Sequence, residues 1–129
     1  MSVVVIAGLA AAGGAGAALR FVLDGAIRSR ADTSVPVGTM VINISGSLLL
    51  GILVGVIGSN EDLQPILTIM GVGFLGGYTT FSTASLETVR LLQTKKIRQA
   101  LVSGLGTLVL AVAAAAVGIG VGTWWGTLL

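Results

Sequence analysis

Residues 76–87 read GGYTTFSTASLE and place a cluster of hydroxyl side chains directly after two adjacent glycines. Each hydroxyl is neutral and can donate a hydrogen bond, so the chemistry that this stretch favours is the binding of an acceptor. Adjacent glycines are also poor helix formers, which marks the same stretch as a weak point in any helix. Four hydroxyl residues fall within the five positions 79–83, namely Thr79, Thr80, Ser82 and Thr83.

Two further segments carry neutral donors at helical spacing. Thr39 and Asn43 are four residues apart, as are Ser103 and Thr107. Residues four apart share one face of a helix, so each pair predicts a polar face on an otherwise apolar helix.

The composition places these groups in a membrane protein. The chain has 129 residues, of which 54% are hydrophobic and 9% charged, with a mean hydropathy of +1.03, whereas soluble domains are about 25% charged. The chain has no Cys and no His, and the usual general base and thiolate chemistry are therefore missing. We expect no enzyme activity, and the thinly spread net charge of +2 gives no nucleic-acid footprint.

Four apolar stretches are long enough to cross a bilayer, which takes about 20 helical residues. They cover residues 3–27, 37–58, 66–92 and 100–124. We therefore expect an all-α fold, with a single transmembrane domain over residues 1–129. Glycine pairs such as Gly51/Gly55 and Gly118/Gly122 let helices approach closely in lipid, and so small a bundle with so many packing faces predicts an oligomer.

Polar groups inside a membrane span need partners, because an unsatisfied group there costs several kcal/mol. For Asn43 two interpretations remain open, namely a bond between helices and a donor that faces a polar pathway. For the glycines at 76 and 77, the alternatives are a helix break that lines a cavity or binds an ion and a tight contact in a continuous helix. Neutral donors on three spans together suit a small anion that exchanges its water shell for protein donors.

Basic residues are concentrated at one end of the predicted bundle. The opposite connection carries only Glu61 and Asp62. Because Lys and Arg in short loops face the cytoplasm, this bias predicts one orientation in the cell membrane with both termini outside. The basic residues in the loops after the first and third spans are Arg28, Arg30, Lys95, Lys96 and Arg98, and Arg20 and Arg90 lie toward the same end.

Three ordered motifs resemble the Fluc (CrcB) family of fluoride channels, and the resemblance covers all four spans. The first is GGAGAALR, which ends at Arg20, the second is GTMVINISG around Asn43, and the third is GFLGGYTTFST followed by Glu87. The resemblance implies passive export of fluoride through two pores, which lie at the interface of an antiparallel, dual-topology dimer. It also implies a structural Na⁺ held by backbone carbonyls at the break in the third helix.

Carried over by motif position, the resemblance assigns a role to each polar group. The carbonyls of Gly76 and Thr79 would hold Na⁺, and Arg20 and Glu87 would belong to the vestibule. Ala84 stands where the family often has a second Phe, which leaves the aromatic pair around fluoride incomplete. The residues expected to line the pore are Thr39, Asn43, Phe81, Ser82, Thr83, Ser103 and Thr107.

Two other functions remain as alternatives. A four-helix, proton-coupled multidrug transporter would need a carboxylate in mid-membrane, but Asp24 and Glu87 lie toward the ends of their spans. A structural subunit that supports the pore of a related partner chain is compatible with Ala84. The dimer partner is correspondingly either a second copy or a related chain of opposite orientation.

Overall fold

The computed structural model describes residues 2–58 and 60–128, and within these ranges every regular element is a helix. Helix α1 spans Val3–Arg28 and α2 spans Val37–Ile57. The third crossing, Glu61–Gln93, consists of α3 at residues 61–78 and α4 at Phe81–Gln93, and the fourth is α5 at Ile97–Gly126. All four crossings are long and apolar enough to span a membrane, which confirms the predicted all-α, four-span architecture. Residues 1, 59 and 129 of the predicted domain lie outside the described residues.

Glycine seams join the helices in two places. Gly51 and Gly55 of α2 face Gly118 and Gly122 of α5, and a β-carbon at any of the four would overlap the backbone of the opposite helix. Helix α1 meets α3 in the same way, since a β-carbon on Gly77 would collide with the backbone of Gly13. The glycine pairs predicted to pack helices lie in the first seam.

The third crossing is interrupted near its middle, as its sequence predicts. Helical geometry continues through Tyr78, and the chain is then extended at Thr79 (φ −79°, ψ 160°) and Thr80 (φ −149°, ψ 121°) before α4 begins. The adjacent glycines are themselves helical, and Gly77 serves the contact with α1. The break therefore falls two residues after the glycines, where Thr80 caps the next helix.

Two segments have widened helical turns, one before the break and one in the fourth crossing. The segment Leu67–Leu75 of α3 and the segment Val102–Gly106 of α5 both have π-helical geometry, which is often found at functional sites. The buried apolar core is small and centres on Ile42, Leu75 and Tyr78. Most other large apolar side chains are exposed on the outside of the bundle, as expected for helices in lipid.

Candidate functional site

A cleft of about 610 Å³ opens beside the break, and we call it the central cleft. Its walls come from α2, from both halves of the third crossing and from residues 103–111 of α5. The polar residues that line it are Asn43, Ser47, Thr79, Thr80, Ser85, Thr88, Ser103 and Thr107, and Gly76, Phe81 and Ala84 also contribute.

Asn43 pairs with the extended backbone of Thr80. The Nδ2 group of Asn43 donates to the carbonyl of Thr80 at 2.9 Å, and the N–H of Thr80 donates to Oδ1 of Asn43 at 2.8 Å. The amide thus satisfies both backbone groups of a residue that has left the helix, which would otherwise be costly in the membrane. One N–H of the amide is left over, and Asn43 also lines the cleft. The interhelical bond and the donor to a polar pathway, which the sequence poses as alternatives, are compatible in this geometry.

Gly46 makes room for the break. A β-carbon at this position would overlap the methyl group of Thr79 and crowd the ring of Tyr78. Tyr78 is held on the other side by a stacked contact with Phe74, with ring centroids 6.4 Å apart, and its hydroxyl lies 3.0 Å from that of Ser45. The motif glycine is therefore a packing requirement of the extended segment.

Thr80 also begins α4. Its hydroxyl accepts a hydrogen bond from the N–H of Thr83 at 3.2 Å and donates to the Thr83 hydroxyl at 3.1 Å. Ser82, in the same first turn, is exposed, and its hydroxyl lies 3.4 Å from that of Thr80. The positive end of the α4 dipole thus lies at the break, where it favours an anion.

Phe81 stands at the rim of the central cleft with 87% of its surface exposed. Ala84 lines the same cleft one turn further along α4. The ring therefore has little contact within its own subunit, and lipid or another chain would have to cover it.

The wall formed by α5 carries two buried hydroxyls. Ser103 is 2% exposed, and its oxygen lies 3.5 Å from that of Thr88 on α4. Thr107, one turn later, is 7% exposed, and its hydroxyl has no hydrogen-bond partner among the described residues. A buried donor without a partner on the wall of a cleft is a candidate ligand for an acceptor.

Three predicted residues lie in a separate pocket of about 270 Å³, namely Arg20, Thr39 and Thr83. Arg20 donates from Nε to the carbonyl of Gly77 at 3.1 Å, and Thr39 is 3% exposed. Thr80 lines both this pocket and the central cleft. The predicted pore residues are thus distributed over two adjoining spaces that meet at the extended segment, except Ser82, which lines neither.

Glu87 is engaged away from both spaces. The guanidinium of Arg28 donates to one oxygen of Glu87 and, at 2.8 Å, to Asp24. The cluster joins the end of α1 to the middle of α4. The second oxygens of both carboxylates are buried without a partner among the described residues. Glu87 and Arg20, which the family resemblance assigns together to the vestibule, thus lie in different places in the structure.

Sequence reasoning left Ser85 and Thr88 out of the expected pore lining. Both line the central cleft, and Thr88 donates to the carbonyl of Ala84 at 2.8 Å. Helical spacing is the signal that could have found them, because positions 81, 85 and 88 recur on one face of α4. Ser47 of α2, which also lines the cleft, could have been added in the same way.

The carbonyls of Gly76 and Thr79 have lost the donors that a continuous helix would give them. The N–H of Thr80, four residues after Gly76, donates to Asn43, and the N–H of Thr83, four after Thr79, donates to the Thr80 hydroxyl. Two neutral oxygens are thereby released near mid-span, and Gly76 is exposed. Such oxygens fit a hard monovalent cation.

The fold and the cleft define a small multi-pass membrane protein with a polar site at a helix break. Residues 7–119 match the family described as CrcB-like protein, Camphor Resistance (CrcB), and the chain belongs to this family. The resemblance inferred from the three motifs is confirmed. Membership in this family and the four membrane-spanning helices place the protein in the cell membrane.

Relatives cover most of the chain. A protein named Fluoride-specific ion channel FluC 1 from Leifsonia xyli subsp. xyli is 50% identical over 113 residues, which cover 87% of this chain and 82% of the relative. One named FluC 2 from Mycolicibacterium paratuberculosis is 45% identical over 109 residues (84% and 86%). Another FluC 2, from Mycobacterium bovis, is 37% identical over 124 residues (96% and 92%).

Proposed function

We propose that the chain is a subunit of a fluoride-selective channel that lets cytoplasmic fluoride leave the cell passively. The observation that carries this proposal is the meeting of neutral donors from three crossings in one cleft beside a helix break. The names of the relatives supply the ion. Hydrofluoric acid crosses membranes as a neutral molecule and dissociates inside, so the trapped anion needs a pore.

The lining of the central cleft suits a small anion. Hydroxyl and amide groups can replace the water shell without a fixed charge that would hold the ion too tightly to leave. Thr107 offers a buried hydroxyl without a protein partner, and the first turn of α4 adds a positive helix end. Ser103 adds a second hydroxyl donor on the same wall, whereas the hydroxyl of Thr88 already donates to the carbonyl of Ala84. These groups form our candidate path, with Asn43 and Phe81 at the break.

The functional unit in this proposal is an antiparallel dimer with two pores at its interface. The exposure of Phe81 supports it, because an aromatic ring 87% exposed at the rim of the central cleft is available to a second subunit. The positive edge of the ring can contact an anion. Since Ala84 supplies no second ring, the other aromatic contact would come from the partner.

A structural Na⁺ at the dimer centre is part of the same proposal. The carbonyls of Gly76 and Thr79 would hold it, because both have lost their helical donors. The cation would supply positive charge that stabilises two facing helix breaks. These two carbonyl oxygens would bind the ion, and no buried carboxylate would be needed.

The proposal is tested by efflux of fluoride from liposomes that contain only the purified chain. Reconstitution from detergent allows copies to pair in either orientation, so the experiment does not depend on how cells insert the chain. We expect rapid fluoride efflux and no comparable chloride efflux, because the cleft offers closely spaced donors to a small ion. Equal chloride flux, or no fluoride flux from a folded sample, would contradict the proposal.

The transporter alternative is not favoured by the geometry. Proton-coupled exchange needs a titratable carboxylate in the translocation path, but Asp24 and Glu87 are both engaged by Arg28 at one end of the bundle. Neither residue lines the central cleft.

A further inference from the structure

A second cavity, of about 440 Å³, lies at the end of the bundle that carries the basic loops, and we call it the basic-end cavity. It is bounded by the loop at residues 31–36, the first residues of α2, the last turns of α4 and the turn into α5. Helices α1 and α4 both end here, so the cavity lies where the membrane meets water. It shares no lining residue with the central cleft.

The charge of the basic-end cavity is mainly positive. Arg28, Arg90 and Lys96 line it, against Glu87 as the one acidic lining residue. Arg28 is committed to Asp24 and Glu87, whereas Arg90 and Lys96 have no ion pair in residues 2–58 and 60–128. Two unpaired cations beside one cavity would attract an anion.

Uncharged groups in the lining complement the two cations. Helix α2 starts after Pro36 without a side-chain cap, and Gly38 in its first turn lines the cavity. The N–H of Val37 donates to the carbonyl of Val35, and the carboxylate of Asp24 lies against Gly38, so the start of α2 is not counted among the donors. Ser34 adds a hydroxyl. Val35 and Leu91 give part of the wall an apolar surface. The lining thus combines donors for an anion with a surface for hydrocarbon.

The turn that presents Lys96 has a fixed geometry. Lys95 has a positive φ of 58°, a conformation in which a β-carbon is disfavoured and glycine is usual. The N–H of Lys95 donates to the carbonyl of Leu92 at 3.0 Å, and that of Lys96 to the carbonyl of Leu91 at 2.9 Å. These two bonds close the end of α4 and hold the Lys96 backbone beside the cavity.

We propose that the basic-end cavity binds the phosphate of an anionic phospholipid. Basic pockets between membrane helices on the cytoplasmic side are suited to lipid head groups. Inorganic phosphate offers the same chemistry, but the apolar wall and the position at the bilayer boundary favour the lipid. Arg90 and Lys96 contact the phosphate, and the hydroxyl of Ser34 donates to it. This inference does not depend on the ion that the central cleft conducts.

The test uses the full chain purified in detergent, with its thermal unfolding midpoint measured against added lipid. Short-chain phosphatidylglycerol raises the midpoint saturably, because a ligand that binds the folded state stabilises it, whereas phosphatidylcholine does not. In Arg90→Gln/Lys96→Gln the apparent dissociation constant for phosphatidylglycerol rises roughly tenfold or more. The matched control Lys95→Gln/Arg98→Gln removes the same charge outside the lining and leaves the constant unchanged.

Three results would overturn the proposal. Equal weakening in both double variants would mean a diffuse surface effect, and an equal response to phosphatidylcholine would remove the need for an anion. Saturation by inorganic phosphate at the same concentrations would replace the lipid with the free ion. If Arg90→Gln/Lys96→Gln does not fold, two single variants replace it. We expect Lys96→Gln to weaken the binding of phosphatidylglycerol and Arg90→Lys to retain it. Failure of either expectation also counts against the site.

Discussion

Asn43 has two roles that a single amide can fill at once. Its bonds to the backbone of Thr80 hold the extended segment between α3 and α4. The second N–H of the amide makes neither of these bonds, and Asn43 lines the central cleft. The buried Thr107 hydroxyl, which lines the same cleft, also has no protein partner in the described chain. The same residue therefore stabilises the break and contributes to the lining that we propose for fluoride.

Replacing Asn43 with Asp should abolish fluoride efflux. The ionised carboxylate keeps the acceptor for the Thr80 N–H but sets an oxygen against the Thr80 carbonyl, where a donor now stands at 2.9 Å. It also repels an anion by about 4 kcal/mol at 4 Å and an effective dielectric of 20, roughly a thousandfold in occupancy. Efflux and thermal stability are measured together, with Ser45→Ala as the control outside the cleft lining. Unchanged efflux in Asn43→Asp would remove this residue from the pore.

At the scale of elements, the third crossing is the part of the fold that carries the site. Gly77 lets α3 pack against α1, Gly46 leaves room for the extended segment, and Thr80 caps α4. The two half-helices then present carbonyls from one end and N–H groups from the other at the same depth. In the function that we propose, a cation and an anion would bind near one break without buried formal charges.

Sodium should stabilise the protein if the released carbonyls of Gly76 and Thr79 bind it. At ten times its dissociation constant, Na⁺ would add about 1.4 kcal/mol to the free energy of unfolding, measured in detergent against choline at constant ionic strength. Thr79→Val is the matched variant, because it removes the side-chain hydroxyl bonded to Leu75 but keeps the backbone carbonyl. The sodium response should persist in this variant. Equal stability in sodium and choline would exclude the site.

For the whole molecule, the asymmetry of charge bears on the partner. Apart from Arg20, which donates to Gly77 at the break, the Lys and Arg residues belong to one end of the bundle, and Glu61 and Asp62 lie at the other. Such a bias favours insertion in one orientation. An antiparallel dimer in cells then calls for a related chain of opposite bias, which could also supply the aromatic contact that Ala84 does not.

Orientation in cells tests this partner hypothesis. A tag on the C-terminus should be accessible only from outside, and the chain expressed alone should give cells little fluoride efflux although purified chain conducts in liposomes. Neutralising Arg30, Lys95 and Arg98, which line none of the three cavities described above, should produce mixed orientations. Two equally populated orientations of the unaltered chain with full efflux would show that it pairs with itself.

The sequence alone determined the membrane class, the four spans, the family resemblance and the region of the break, because these follow from hydropathy over about 20 residues and from local motifs. That the chain is extended at Thr79 and Thr80 follows from the folded structure, since the amide that satisfies the backbone of Thr80 comes from another helix. The tertiary structure likewise separated Arg20, Thr39 and Thr83 from the central cleft, added Ser85 and Thr88 to it, and paired Glu87 with Arg28. Which faces of packed helices meet depends on contacts between residues distant in the chain, and local spacing does not encode them.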